Sequence, residues 1–273
     1  MRIGVRAHDF GKHTPARLAQ ILKDAGYNAA QLVLPKAIEG IDNYRDITPD
    51  QLDEIRAAFD AADIQISVLG CYMDLSNPDD TARMEAIENV RLVLGYAKKL
   101  GAVTVASETS YDHLTAEEKA ARTPAMLDSI KRIVHHAEEE CVDFAIEPVE
   151  WHPLYKIEIV QEVLKAAGHS PRLRILFDAA NVITPDAIAQ QSAVWKAWLD
   201  AFSDRIVALH IKDFVWDEAG TYQPLPLGDG LMDYSIIEEW LTNGHTETPL
   251  LREETIHTCK ADDLAFLKKM VTA

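Results

Sequence analysis

"IVALHIKDF", Ile206 to Phe214, begins as a buried strand and ends in charge. Val207, Ala208 and Leu209 suit a sheet interior, whereas His210, Lys212 and Asp213 crowd the last positions. Two upstream runs have the same form: "FAIEP" carries Glu147 and "ILFDAAN" carries Asp178. A downstream run, "PLLREET", ends in Glu253 and Glu254. Glu147 and Asp178 are 31 residues apart, and Asp178 and His210 are 32 apart. One strand, one helix and their loops take up about 30 residues, so the three side chains occupy equivalent places on successive strands.

Outward from this stretch, the same alternation covers the chain. "IGVRA" (Ile3 to Ala7), "AAQLVL" (Ala29 to Leu34), "IQISVLG" (Ile64 to Gly70) and "AVTVAS" (Ala102 to Ser107) are strand-like, and an amphipathic segment follows each. Those segments begin near Thr14, at Thr48 with Pro49, near Asp79, and at "PAMLDSIKRIVHHAEEE". In the second half, helices are predicted over Lys156–Ala167, Asp186–Phe202, Tyr234–Leu241 and from Ala261 onward. Strict strand–helix alternation calls for a parallel sheet covered by helices. Eight units predict an α/β chain forming one (β/α)8 TIM barrel, a single domain over residues 1–273. An open doubly wound sheet would carry a glycine-rich fingerprint after its first strand, and "RAHDFGKHT" is not one.

Composition excludes several classes. A net charge of −17 repels phosphate backbones, so nucleic acid is not an expected partner. Three widely spaced cysteines, Cys71, Cys141 and Cys259, provide neither a disulfide framework nor a thiolate zinc site. The start "MRIGVRAHDF" lacks a signal-peptide core, and no apolar run reaches the roughly 18 residues that would span a bilayer. A cytoplasmic protein with no membrane partner is the expectation.

In a barrel, the C-terminal strand ends form the mouth where chemistry sits. A lone acid there reads as a helix cap or loop salt bridge, and a lone histidine as a structural one. Three carboxylates and an imidazole in register on four consecutive strands read differently. They repel one another without a cation, and around one they form an oxygen-rich site with a single nitrogen donor. Such a set suits Mn2+, Mg2+ or Co2+, with Zn2+ also compatible.

The segments "IEP", "FDAAN", "LHIKDF" and "PLGDGLMDY" resemble the strand-end motifs of the xylose isomerase-like barrel superfamily, in its sugar phosphate isomerase/epimerase group. The resemblance runs over essentially the whole chain. It implies one divalent metal, Mn2+ first, held by Glu147, Asp178, His210 and Glu253. Strand alternation puts apolar Leu251 on the same side as Glu253, which favours Glu253 over Glu254. Substrate contacts are expected from His152, Asn181, Lys212, Glu108 and His8, although a loop anchor at His152 is an equal reading and a salt bridge at Lys212 the plainer one. Asn181 stands where ketose epimerases often have histidine. Trp151, Phe214 and Trp216 offer apolar faces to a sugar ring. Asp229, between Gly228 and Gly230, opposes a phosphate, so "PLGDGLMDY" reads as a turn into a helix with Asp233 near its cap. His135 and His136 read as a solvated helix face.

The implied activity is metal-dependent epimerisation or isomerisation of a keto sugar. Glu147 and Glu253 would move the proton through an enediolate that the metal, as a Lewis acid, stabilises. A lyase or decarboxylase acting on a 3-keto sugar, C-glycoside or keto acid through the same intermediate is the alternative. An endonuclease of the same fold ranks lower, because the ends of strands two and three lack its extra histidines. A non-catalytic sugar-binding subunit also ranks lower. The implied partners are a small-molecule sugar, without an obvious basic cluster for a phosphate, and copies of the chain or another subunit in an oligomer.

Overall fold

The computed structural model describes residues 1–255 and 259–271. Seven short strands come first: β1 (Ile3–Arg6), β2 (Ala29–Leu32), β3 (Gln65–Gly70), β4 (Thr104–Ser107), β5 (Asp143–Ile146), β6 (Leu173–Asp178) and β7 (Ile206–Ile211). A hairpin, β8 (Asp213–Trp216) and β9 (Tyr222–Leu225), interrupts the series before β10 (Leu250–Arg252). The first seven strands and β10 pair in parallel and close into a barrel through β1 and β10, in register Gly4 to Leu251. The fold is the expected closed eight-stranded parallel barrel with helices around it, a TIM barrel.

The helices start where local chemistry supplies caps. Helix α1 (Pro15–Asp24) opens with proline in its first turn. After one short turn, α2 (Leu34–Ala37), helix α3 (Pro49–Ala62) opens on a capping box between Thr48 and Gln51. Asp79 caps α4 (Asp80–Leu100), whose chain leaves through Gly101 in the left-handed region, at φ 64°. Helix α5 (Ala116–Glu140) differs from expectation by beginning a full two turns before Pro124. Thr115 and Glu118 form a capping box there, and that nucleus carries the helix through the proline. Helices α6 (Ile157–Ala166), α7 (Gln191–Phe202), α8 (Ser235–Trp240) and α9 (Lys260–Met270) complete the outer ring. The stretch predicted to start α7 at Asp186 instead passes through a tight 3-10 turn, Ile188–Gln190.

Packing inside the barrel explains where the site is. A small apolar layer consists of Ala29, Val68, Ala106, Ala145, Leu176, Ala208 and Leu251, one residue from each of seven strands. The eighth strand contributes Gly4, because a Cβ there would be 2.6 Å from the Ala29 carbonyl oxygen and 2.7 Å from Leu251 Cδ2. Side chains alternate across a strand, so two residues further along point inward again, one layer nearer the mouth. Those positions are Arg6, Gln31, Gly70, Glu108, Glu147, Asp178, His210 and Glu253. A packed apolar plug thus supports a polar ring above it. Outside the barrel, Phe144, Phe177, Trp195 and Phe202 fill the space beneath the helices. Among the described residues no helix is long and apolar enough to cross a membrane, and Cys71 and Cys141 form no disulfide.

Candidate functional site

Glu147, Asp178 and His210 converge at the ends of β5, β6 and β7, all three buried. One donor atom from each lies within 4.8 Å of the others. His210 Nδ1 is 3.2 Å from Glu147 Oε1 and 3.8 Å from Asp178 Oδ2. The other imidazole nitrogen, Nε2, meets Gln31 Oε1 at 2.7 Å. An amide oxygen only accepts, so Nε2 carries the hydrogen, and Nδ1 is the nitrogen facing the acids. Gln31 is fixed in turn by donating its Nε2 to the Tyr72 hydroxyl.

Glu253 stands just outside that tight trio, its Oε1 3.6 Å from His210 Nδ1. Two cations draw it aside: Lys212 Nζ at 3.2 Å from Oε2, and Arg6 Nη1 at 3.3 Å from Oε1. Lys212 also reaches Asp178 Oδ2 and Asn181 Oδ1, both at 2.9 Å. Asn181 completes a bridge by donating Nδ2 to Glu147 Oε1 at 2.8 Å. Glu254 turns away, in a left-handed backbone at φ 55°, and accepts from the Tyr222 hydroxyl.

The electrostatics follow from crowding acids in a dry place. Burial raises the proton affinity of Glu147 and of Asp178. Burial also opposes ionisation of Glu253, yet His210, Lys212 and Arg6 hold it well below the usual carboxylate range. His210 is pushed up to about 9, because Glu253, Glu147 and Asp178 outweigh the burial that works against its charge. Glu108, at the end of β4, is pushed up to about 8 by burial and then by Glu147 and Glu253.

The donor set fits a divalent ion. Glu147 Oε2 is buried without a hydrogen bond, and Asp178 Oδ2 faces Lys212 Nζ at 2.9 Å and His210 Nδ1 at 3.8 Å. Two carboxylates and an imidazole oriented through its far nitrogen, whose Nδ1 becomes a donor once a cation displaces its proton, make a suitable donor set for such an ion.

Above the acids opens a cavity of about 540 Å3, lined by Arg6, Glu108, Asn181, Lys212, Glu253 and the surrounding loops. His152 is buried behind it, Nδ1 3.9 Å from Glu108 Oε2, with its proton affinity lowered to about 4 chiefly by burial. His8 does not line this cavity. It belongs to a 3-10 turn, Ala7–Phe10, that follows β1 and leaves its Nδ1 buried without a hydrogen bond. Burial, then Arg6, lowers its proton affinity to about 4. Sequence reasoning missed Arg6, Gln31 and Tyr72. The alternation rule applied to β1 and β2 identifies the first two, since Gly4 and Ala29 are the inward residues beneath them. Of the helix pair, His135 is exposed while His136 is half-buried against Glu139.

Comparison with known proteins agrees with the fold. Residues 19–268 match the family described as "Xylose isomerase-like TIM barrel". No curated protein matches by sequence. Among solved structures, 3-keto-D-glucoside 4-epimerase from E. coli superposes with a TM-score of 0.75 at 15% identity, covering 98% of this chain and 99% of that one. A D-tagatose 3-epimerase-like protein gives a TM-score of 0.76 at 16% identity, covering 100% and 97%. A xylose isomerase-like TIM barrel protein from Mycobacterium smegmatis in complex with magnesium gives 0.73 at 16%, covering 99% and 97%. At these identities the superpositions speak to fold alone, whereas the sequence match spans most of the chain: it belongs to the xylose isomerase-like TIM barrel family.

Proposed function

We propose that the chain is a divalent-metal-dependent epimerase or isomerase of a keto sugar. The observation that carries this reading is the buried convergence of Glu147, Asp178 and His210 beneath an open cavity, with Glu147 Oε2 left without a hydrogen bond. Glu147, Asp178, His210 and Glu253 would hold the ion: Mn2+ first, with Mg2+, Co2+ or Zn2+ as alternatives. The neighbouring fold crystallised with magnesium supports a divalent ion of this kind, and the sugar-epimerase neighbours support the substrate class. Once bound, the ion supplies a Lewis acid that stabilises negative charge developing on a substrate oxygen.

The protein's own groups divide the remaining work. Glu147 keeps one oxygen on Asn181 and His210 and the other free, and burial raises its proton affinity, so it takes the proton next to the carbonyl. Glu253, held ionised by two cations, is the second proton carrier; it delivers to the opposite face for epimerisation or to the neighbouring carbon for isomerisation. Lys212 and Asn181 orient substrate hydroxyls from the wall. Exchange of the substrate α-proton with solvent deuterium, metal-dependent and lost in Glu147→Gln, is the expected result. Full exchange in Glu147→Gln contradicts the reading.

One observation favours a lyase as the second reading. Glu108 lines the same cavity, and burial, then Glu147 and Glu253, pushes it up to about 8, which suits it to donate a proton to a departing group. Product lacking a substituent, formed from a 3-keto glycoside in D2O, identifies that chemistry. Deuterium incorporation without net loss identifies the epimerase.

A further inference from the structure

The cavity above the acids has two zones. Its floor carries Asn181, Lys212 and Glu253, groups that bind hydroxyls and ions. Its wall also presents apolar faces, Trp151 from the loop after β5, Ile183 from the loop after β6, and Trp216 and Tyr222 from the hairpin after β7. Strands β5, β6 and β7 are neighbours in the barrel, so these side chains form one arc beside the site.

The arc is built, not loose. Trp151 stacks on His113, with centroids 4.8 Å apart and planes 10° from parallel. Trp216 lies edge-on to Phe214 at 4.7 Å, and Phe214 stacks on Tyr222. Both indoles are half-buried and pinned on one side. Aromatic faces already held in place lose little freedom when a second ring stacks on them. The cavity volume, about 540 Å3, falls in the range of about 300–1,000 Å3 that encloses drug-sized ligands.

Charge narrows the choice of occupant. The lining cations Arg6 and Lys212 are both paired with Glu253. The remaining lining acids are Glu108, Glu150 and Glu254. A phosphoryl or carboxylate group at the rim would meet carboxyl groups and no unpaired cation.

The geometry points to a glycoside with an uncharged aryl aglycone as the substrate, its keto-sugar ring on the floor and its aglycone against Trp151 and Trp216. This inference rests on the keto-sugar reading for the floor and adds the rim. The aglycone acts as an anchor, and no bond to it needs to break.

Calorimetric titration of the Mn2+-loaded protein with phenyl and methyl 3-keto-β-D-glucopyranosides tests it, since the two share sugar and linkage. The phenyl glycoside is expected to bind at least tenfold tighter. Trp216→Ala and Trp151→Ala should each shrink that ratio several-fold, and Trp216→Phe should preserve most of it. Equal affinities, a ratio unchanged in both alanine variants, tightest binding by a phosphorylated 3-keto sugar, or no binding of either glycoside overturns the inference. Deuterium exchange on the methyl glycoside reads the proposed chemistry separately. Its absence alongside an intact phenyl preference contradicts the epimerase reading while leaving the aryl subsite standing.

Discussion

The hydrogen bond from His210 Nε2 to Gln31 Oε1, at 2.7 Å, decides which imidazole nitrogen faces the acids. Both side chains are buried, so no solvent competes for the contact. Gln31→Leu removes the acceptor and frees the ring to change tautomer. Such orienting partners are typically worth about 10–100-fold in metal affinity; Mn2+ titration of this variant should show a loss of that size, with an unchanged circular dichroism spectrum. Glu108 makes a second prediction. Its folded value of about 8 is above the ordinary 4.5, so the folded chain keeps a proton that the unfolded chain gives up. The stability this contributes is complete below pH 4.5 and is lost as pH rises through about 8. In chelator-treated protein, Glu108→Gln should flatten the decline of Tm across that window, and an identical pH profile would contradict the assignment. At this scale the acids were legible because each sits at the end of an apolar run. Arg6 and Gln31 were not, because one arginine and one glutamine in short strands look like ordinary surface polarity until the barrel closes around them.

The hairpin formed by β8 and β9 was the main element hidden in the sequence. Its segment appeared only as extra length between His210 and Glu253, 43 residues where the neighbouring intervals are 31 and 32. Asp213 organises it: Oδ1 accepts from the amides of Phe214 and Met232, and Oδ2 from those of Gly228 and Gly230. Gly230 permits the approach, since a Cβ there would come within 2.1 Å of Asp213 Oδ1. The charged end of "IVALHIKDF" therefore divides between two tasks, His210 and Lys212 in the site and Asp213 in the loop that roofs it. Asp213→Ala strands several amides at once, and buried unmatched donors cost about 1–3 kcal/mol each. A loss of about 3 kcal/mol in denaturant unfolding is expected, together with a shift in Trp216 emission as the hairpin loosens. Unchanged stability would show that the glycine amides find other partners. Helix α5 carries the opposite lesson: Pro124 marked a start that the Thr115–Glu118 cap had already made eight residues earlier.

Across the whole molecule, the eight-unit rhythm was legible because each strand and helix has its own periodicity. Long-range pairing was legible only in part. The layer of Gly4, Ala29, Ala106, Ala145 and Ala208, with Val68, Leu176 and Leu251, shows why the interior closes so tightly. Small residues at these positions carry no strong local signal, and their meaning appears only when all eight are brought to one level. That level sets the ring above it, so Glu147, Asp178, His210 and Glu253 stand within one residue of the ends of β5, β6, β7 and β10. The direct test is Mn2+ titration, by electron paramagnetic resonance, of protein first stripped with chelator. One tightly bound ion per chain is predicted, with affinity falling at least a hundredfold in His210→Ala and in Asp178→Asn. No stoichiometric ion, or the same affinity in both variants, would contradict the metal centre.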